Sequence, residues 1–250
     1  MYPFTRNQTK LALQKIGLFP VARAAYRMLN SRIREQRSNE ILFYRELLKP
    51  NSLCFDVGAN LGQKAEVFLC CGSRVVILEP NILCQPTLKY LFRRNPKVEL
   101  VMAAVGSARG WMDLYVHGTE STASARPEWD RQIYGVDRMI ATIKVPVTTL
   151  DDLIERYGRP DFVKIDVEGF EPEVLKGLST RVPLLSIEFH SFEMSRTEEC
   201  LAILQLLGNI SVRASDMDCK WLGPKTDKLY DCLRMLQSIS AKGDLFVWID

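Results

Sequence analysis

From residue 52 onward, short apolar runs alternate with amphipathic segments, and glycine or proline marks most junctions between them. Residues 53–57, 75–78 and 98–105 read as strands, with helices over 63–71 and 82–94 between them. Three strand–helix units in succession predict a parallel sheet with helices on both faces, because parallel strands need a crossover long enough to hold a helix. The rhythm loosens over 110–149, where strands are expected at 110–117 and 143–149 around a polar stretch, 118–138. A loop of that length inside a domain is often functional. A helix over 150–157 leads back into the alternation. Strands at 162–167 and 184–189, helices at 170–178 and 196–207, and final strands at 210–214 and 245–249 around a helix near 228–239 complete an α/β reading.

Composition narrows the class. The chain has 250 residues, 47% hydrophobic and 25% charged, which is ordinary for a globular protein and enough for one sizeable core. Its charge is uneven. Residues 1–50 hold ten Lys and Arg against three Glu, a net of +7, and the remaining 200 hold 23 basic and 27 acidic groups, a net of −4. The acidic body argues against a nucleic-acid partner, which needs a basic excess to neutralise phosphates. Two units are therefore expected: a basic helical extension over 1–50 and the α/β domain over 51–250. The seven cysteines form no C-x-x-C pair, and the only histidines are His117 and His190. Reduced thiols, no metal site and a cytoplasmic setting are expected. There is no secretory signal pattern and no run of 18 apolar residues.

The first strand–helix junction reads Phe55-Asp56-Val57-Gly58-Ala59-Asn60-Leu61-Gly62. Glycine there lets the backbone turn tightly and approach a ligand, at the carboxyl edge where open α/β sheets bind ligands. A dinucleotide fingerprint would be G-x-G-x-x-G, and Asn60 stands between Gly58 and Gly62. Asp56 is ill placed beside a pyrophosphate and well placed beside a cation such as the sulfonium and ammonium of S-adenosylmethionine. Glu79, at the end of the second strand, stands where an acid accepts hydrogen bonds from ribose hydroxyls. A tight turn without a ligand, and a solvated strand-end acid, are the bland alternatives.

A second unusual run is Lys164-Ile165-Asp166-Val167-Glu168-Gly169. Strand alternation puts Lys164, Asp166 and Glu168 on one side, although a central parallel strand is normally apolar on both faces. Ionisable groups there must be paired or face a cleft. Glu188 and His190 share a face of the next strand, so they can converge on Asp166 and Glu168 beside the Gly58 loop. A structural Lys–carboxylate pair is the competing reading.

In order and spacing, Asp56-Val57-Gly58-Ala59-Asn60-Leu61-Gly62, Glu79-Pro80, Ala103-Ala104-Val105-Gly106, Thr149-Leu150-Asp151-Asp152 and Lys164-Ile165-Asp166-Val167-Glu168-Gly169 with Glu171 resemble the FkbM family of methyltransferases. The resemblance covers about residues 50–195. It implies a Rossmann-like class I methyltransferase fold, with seven strands in the order 3-2-1-4-5-7-6 and strand 7 antiparallel. It also implies S-adenosylmethionine as cofactor. Asp56, Gly58, Asn60 and Gly62 would line its amino-acid half, Glu79 its ribose and Asp166 the methyl end, with Ala104 also in the cofactor set. Asp166, His190, Glu168 and Lys164 are the expected catalytic group, with His190 or Asp166 as base. The implied acceptor is a hydroxyl on a sugar, a glycan or another small molecule. Gln63-Lys64 departs from the small or aromatic residues more usual after the loop.

Three rival functions stand beside this one. A nicotinamide-dependent oxidoreductase would use the same βαβ unit, but its glycine pattern is incomplete and no Tyr-x-x-x-Lys pair is present. A non-catalytic binding protein would not need Asp56, Glu79, Asp166 and Glu168 together. An RNA methyltransferase would want a basic, aromatic platform. The loop at 118–130, with Trp129, is expected to cover the acceptor. The basic N-terminal helices either cap the sheet or touch anionic lipid or a lipid-linked glycan through Arg23, Arg27, Arg32, Arg34 and Arg37.

Overall fold

The computed structural model describes Leu13 and residues 18–117, 123–125, 139–239 and 242–250. Helices α1 (Phe19–Leu29) and α2 (Ser31–Leu47) precede β1 (Leu53–Val57) among the described residues. Then come α3 (Gln63–Cys70), β2 (Arg74–Leu78), α4 (Gln85–Phe92) and β3 (Val98–Val101). Four strands follow: β4 (Ala104–Val105), β5 (Gly110–His117), β6 (Ala123–Ser124) and β7 (Met139–Thr148). The α/β rhythm resumes with α5 (Leu150–Tyr157), β8 (Phe162–Ile165), α6 (Glu171–Lys176), β9 (Leu184–His190) and α7 (Met194–Gln205). Strand β10 (Ile210–Asp216), α8 (Leu229–Ser238) and β11 (Lys242–Ile249) end the chain.

Seven strands form one sheet in the order β10-β11-β9-β8-β1-β2-β3. Read from β3, this is the expected 3-2-1-4-5-7-6, with β11 antiparallel to both β9 and β10. Strand β1 is buried at every position because it pairs on both sides, Asp56 with Ile77 and with Lys164. One face of the sheet packs Phe55, Val57, Val163 and Ile187 into the larger core. The other carries Cys54, Ile77, Phe162 and Phe246. On this second face Phe43 and Tyr44 of α2 join Phe68, Phe162 and Phe246 in an aromatic cluster with ring centroids 5.0–6.3 Å apart. The carboxyl half of α2 is thus buried in the same core as the strands. Pro20 sits in the first turn of α1, where its missing N–H costs nothing.

One expectation needs correction. The run 98–105 is not one strand: β3 stops at Val101, and Ala104 and Val105 pair instead with Val147 and Thr148. The segments over 104–148 build a second sheet of four strands, β4-β7-β5-β6. Its two-residue period was visible in Met112, Leu114 and Val116, but its partners are distant in sequence. Leu114, Val116, Val145 and Ala104 give it a small core of its own. The Thr149-Leu150-Asp151-Asp152 run is a helix cap. Thr149 Oγ1 accepts the Asp152 N–H at 3.1 Å, and Asp152 accepts the Thr149 N–H at 3.2 Å. The expected cover over 118–130, Trp129 included, lies outside the described residues apart from 123–125.

Candidate active site

Strand β1 ends at Val57, and the chain turns at Gly58 with φ +80°. A Cβ at residue 58 would run into the carbonyl oxygen of Asp166. Only glycine therefore lets this loop lie against the Asp166 turn. The Gly58 and Ala59 N–H groups donate to the Leu78 carbonyl at 3.0 and 3.1 Å. Asn60 is also left-handed, with φ +52°. Its N–H donates to Glu79 Oε2 at 2.7 Å, and the Asn81 N–H donates to Oε1 at 2.8 Å. Glu79 thereby ties the loops after β1 and β2 together. Burial pushes its carboxyl up to about 7, against those two donors.

The charged run resolves into two layers. Lys164 is only 2% exposed, and its ammonium lies 2.8 Å from Asp166 and 3.6 Å from Asp244. Burial works against its charge, but those carboxylates outweigh it and hold the ammonium above the ordinary lysine range. Asp166 answers in kind. Burial opposes its charge too, and the adjacent Lys164 holds its carboxyl below its usual value. Asp56 faces Lys164 in register on β1, and one of its carboxylate oxygens is buried without a partner. Burial pushes Asp56 up to about 6.

Strand alternation does not carry Asp166 and Glu168 outward, because β8 ends at Ile165. A turn does so instead. Glu168 is left-handed at φ +54° and Gly169 at +84°. Glu171 secures the turn by accepting the Val167 N–H at 3.1 Å and the Gly169 N–H at 3.2 Å. Strain of this kind in a non-glycine residue, held by its surroundings, is characteristic of functional sites.

These turns border one cleft at the carboxyl ends of β1, β2 and β8. Gly58, Asn60 and Glu79 line one side, and Asp166, Glu168 and Glu188 another. Ala104, Met112 and Leu114 from the second sheet, with Ala125 just after β6, supply an apolar wall. Among the described residues that line it, four are acidic and none is basic. His190 stands beside this cleft, half-buried, with Nε2 3.0 Å from Glu188 Oε2. Burial lowers its proton affinity, but Glu188 outweighs burial and raises it. Asp56 and Gly62 do not line the cleft. Asp56 lies behind it, and Gly62 is the N-cap of α3, packed so closely that a Cβ would meet the Phe92 ring.

The family model described as the methyltransferase FkbM domain matches residues 56–217. The chain belongs to this family. It is an S-adenosylmethionine-dependent methyltransferase. Among solved structures, a precorrin-6y C5,15-methyltransferase from Geobacter metallireducens is 12% identical, with TM-score 0.42, over 86% of this chain and 87% of that one. A TehB-like SAM-dependent methyltransferase from Corynebacterium glutamicum is 11% identical, with TM-score 0.42, over 85% and 88%. No curated protein matches the chain in sequence.

The cleft of the FkbM methyltransferase suits its methyl donor better than a dinucleotide. Among the described lining residues a pyrophosphate would meet four carboxyl groups and no cation, whereas a sulfonium and an ammonium meet complementary charge. The apolar wall and Glu79 suit a nucleoside, and Gly58 puts no side chain into the cleft at its own position. Lys64, the departure from the family pattern, pairs with Glu40 of α2 at 3.3 Å, so it serves docking of the N-terminal helices. Sequence reasoning missed Asp244, whose approach to Lys164 depends on β11 being inserted beside β9. It also passed over Met112 and Leu114, whose alternating pattern was visible but not their destination.

Proposed function

We propose that this methyltransferase acts on a hydroxyl oxygen of a sugar, a glycan or a small natural product. The observation that carries the reading is the acidic mouth of the cleft: Asp166, Glu168 and Glu188, with His190 bonded to Glu188. Carboxylates accept hydrogen bonds from hydroxyls and repel anions, so this wall offers partners to a hydroxylated acceptor and disfavours an anionic one.

Bound S-adenosylmethionine supplies a methyl group made electrophilic by its positive sulfur. Glu79 would hold its ribose, Gly58 and Asn60 would line its amino-acid half, and Asp166 would face its cationic methyl end. Lys164 keeps Asp166 ionised, so a negative charge faces the cleft at neutral pH. An alcohol must lose a proton as it attacks. His190, when neutral, would take that proton on Nδ1 while its Nε2–H donates to Glu188 on the cleft wall, and Glu168 would orient the acceptor. Holding the reacting atoms in line accounts for roughly 7–11 kcal/mol of barrier reduction in well-oriented reactions.

Asp166→Asn should abolish turnover while thermal melting stays close to wild type; near-normal turnover would sink the assignment. Labelled methyl donor, offered with a panel of neutral glycans, amines and carboxylic acids, tests the acceptor class. Label appearing in amines or acids but in no hydroxyl acceptor rejects it.

A further inference from the structure

Helix α1 is amphipathic in the wrong sense for a helix packed on a domain. Its solvent face carries Leu18, Val21, Ala25, Tyr26, Met28 and Leu29, all exposed, with Met28 at 72% and Leu29 at 83%. At ~100° per residue these positions span roughly 160° of the helix and include no charge. Its arginines turn inward instead, and Arg27 pairs with Glu66 of α3 at 2.9 Å. Arg37 of α2 also points to Glu66, at 3.6 Å. A helix of a soluble domain buries its apolar stripe, so an exposed stripe of this width marks an interaction surface.

Helix α1 packs against α4. Around α4, Ile82, Leu83 and Tyr90 are exposed together with Lys89, Arg93 and Arg94. Arg32 and Arg34 are exposed just beyond α1. No acidic residue occurs in 18–34 or in 80–98, while each stretch holds four basic ones. The surface is therefore apolar with an excess of positive charge, and the exposed Glu35 beside Arg32 and Arg34 marks its edge.

We propose that the outer face of α1, with the adjoining surface of α4, binds anionic lipid bilayers. A second copy of this chain would set like charges against each other. A nucleic acid would pair with the cations and leave the apolar stripe in water. A bilayer with anionic headgroups accepts both, the stripe at the acyl boundary and the cations among the headgroups. The cations concerned are Arg32, Arg34, Lys89, Arg93 and Arg94, rather than Arg27 and Arg37, which Glu66 already engages. Residues 82 and 83 directly follow the cleft segment Glu79–Asn81, so the bilayer face adjoins the cleft. This inference does not depend on the acceptor proposed above.

Flotation of the full chain with phosphatidylcholine vesicles, with and without ~30% phosphatidylglycerol, tests it. Binding is expected to the anionic vesicles and to weaken with salt. The pair Val21→Glu and Met28→Glu, on exposed side chains, should cut binding at least about tenfold with an unchanged circular dichroism spectrum. The pair Arg32→Glu and Arg34→Glu should do the same. Absence of wild-type binding at low salt, or variants that float like wild type, overturns the proposal. So does self-association or RNA binding abolished by these substitutions without any vesicle binding.

Discussion

Glu188 sets the proton affinity of His190. Burial alone would depress the imidazole, and the carboxylate 3.0 Å away reverses the sign. If His190 accepts the acceptor proton, it works only when neutral. The acidic limb of kcat/KM should then lie above the ordinary value of 6.5. Glu188→Gln should move that limb to lower pH, and a limb that does not move places the base elsewhere. Lys164 acts through Asp166 and is a positioning residue. Lys164→Met leaves Asp166 and Asp244 facing each other without a cation, and should cost on the order of 3 kcal/mol in chemical denaturation. A cost near zero would mean that solvent entering from the cleft screens the pair. Asp166, Glu168 and Lys164 were legible as a charged run. Asp244 was not, because a lone acid on a late strand has no local signal of its partner.

The start of α5 shows that one of the family's motifs is architectural. Thr149 and Asp152 form a reciprocal cap, and Arg109 clamps Asp152 with contacts of 2.9 and 2.6 Å. Thr149→Ala should lose about 1 kcal/mol of stability with the active site intact, read as a shift of the denaturation midpoint with catalytic constants unchanged. Arg109 holds the Asp152 carboxyl well below its usual range. Its contribution is therefore present above the ordinary value of 3.8 and is lost as pH falls through the lower folded value. Asp152→Asn should flatten this acid limb. The helix start was legible from its capping residues, but the arginine clamp spans 43 positions of sequence.

Several buried acids push the stability of the whole molecule in the opposite direction. Asp56 is raised from 3.8 to about 6, and Glu79 and Glu171 from 4.5 to about 7, each chiefly by burial. Across those intervals the native state binds more protons than the unfolded chain, so stability falls as pH rises. His190, also raised, contributes stability present below its unfolded value and lost as pH rises through its folded value. The melting temperature should therefore decline between about pH 5 and pH 8. A melting temperature that rises over that range would show these carboxyls to be solvated in the native state.

Periodicity and punctuation by themselves determined the α/β class and the two glycine-marked turns that frame the cleft, while the family resemblance implied the main strand order. These signals are local, since a strand's apolar run or a turn's glycine is written within a few residues. Tertiary structure alone decided that 98–105 divides between two sheets and that Glu171 pins the Asp166–Gly169 turn. It also placed Asp56 behind the cleft wall and Asp244 beside Lys164, and it turned the arginines of α1 inward and its apolar stripe outward. Each of these depends on which face a residue presents to a partner far along the chain, and a one-dimensional pattern is silent on that until the partner is in place.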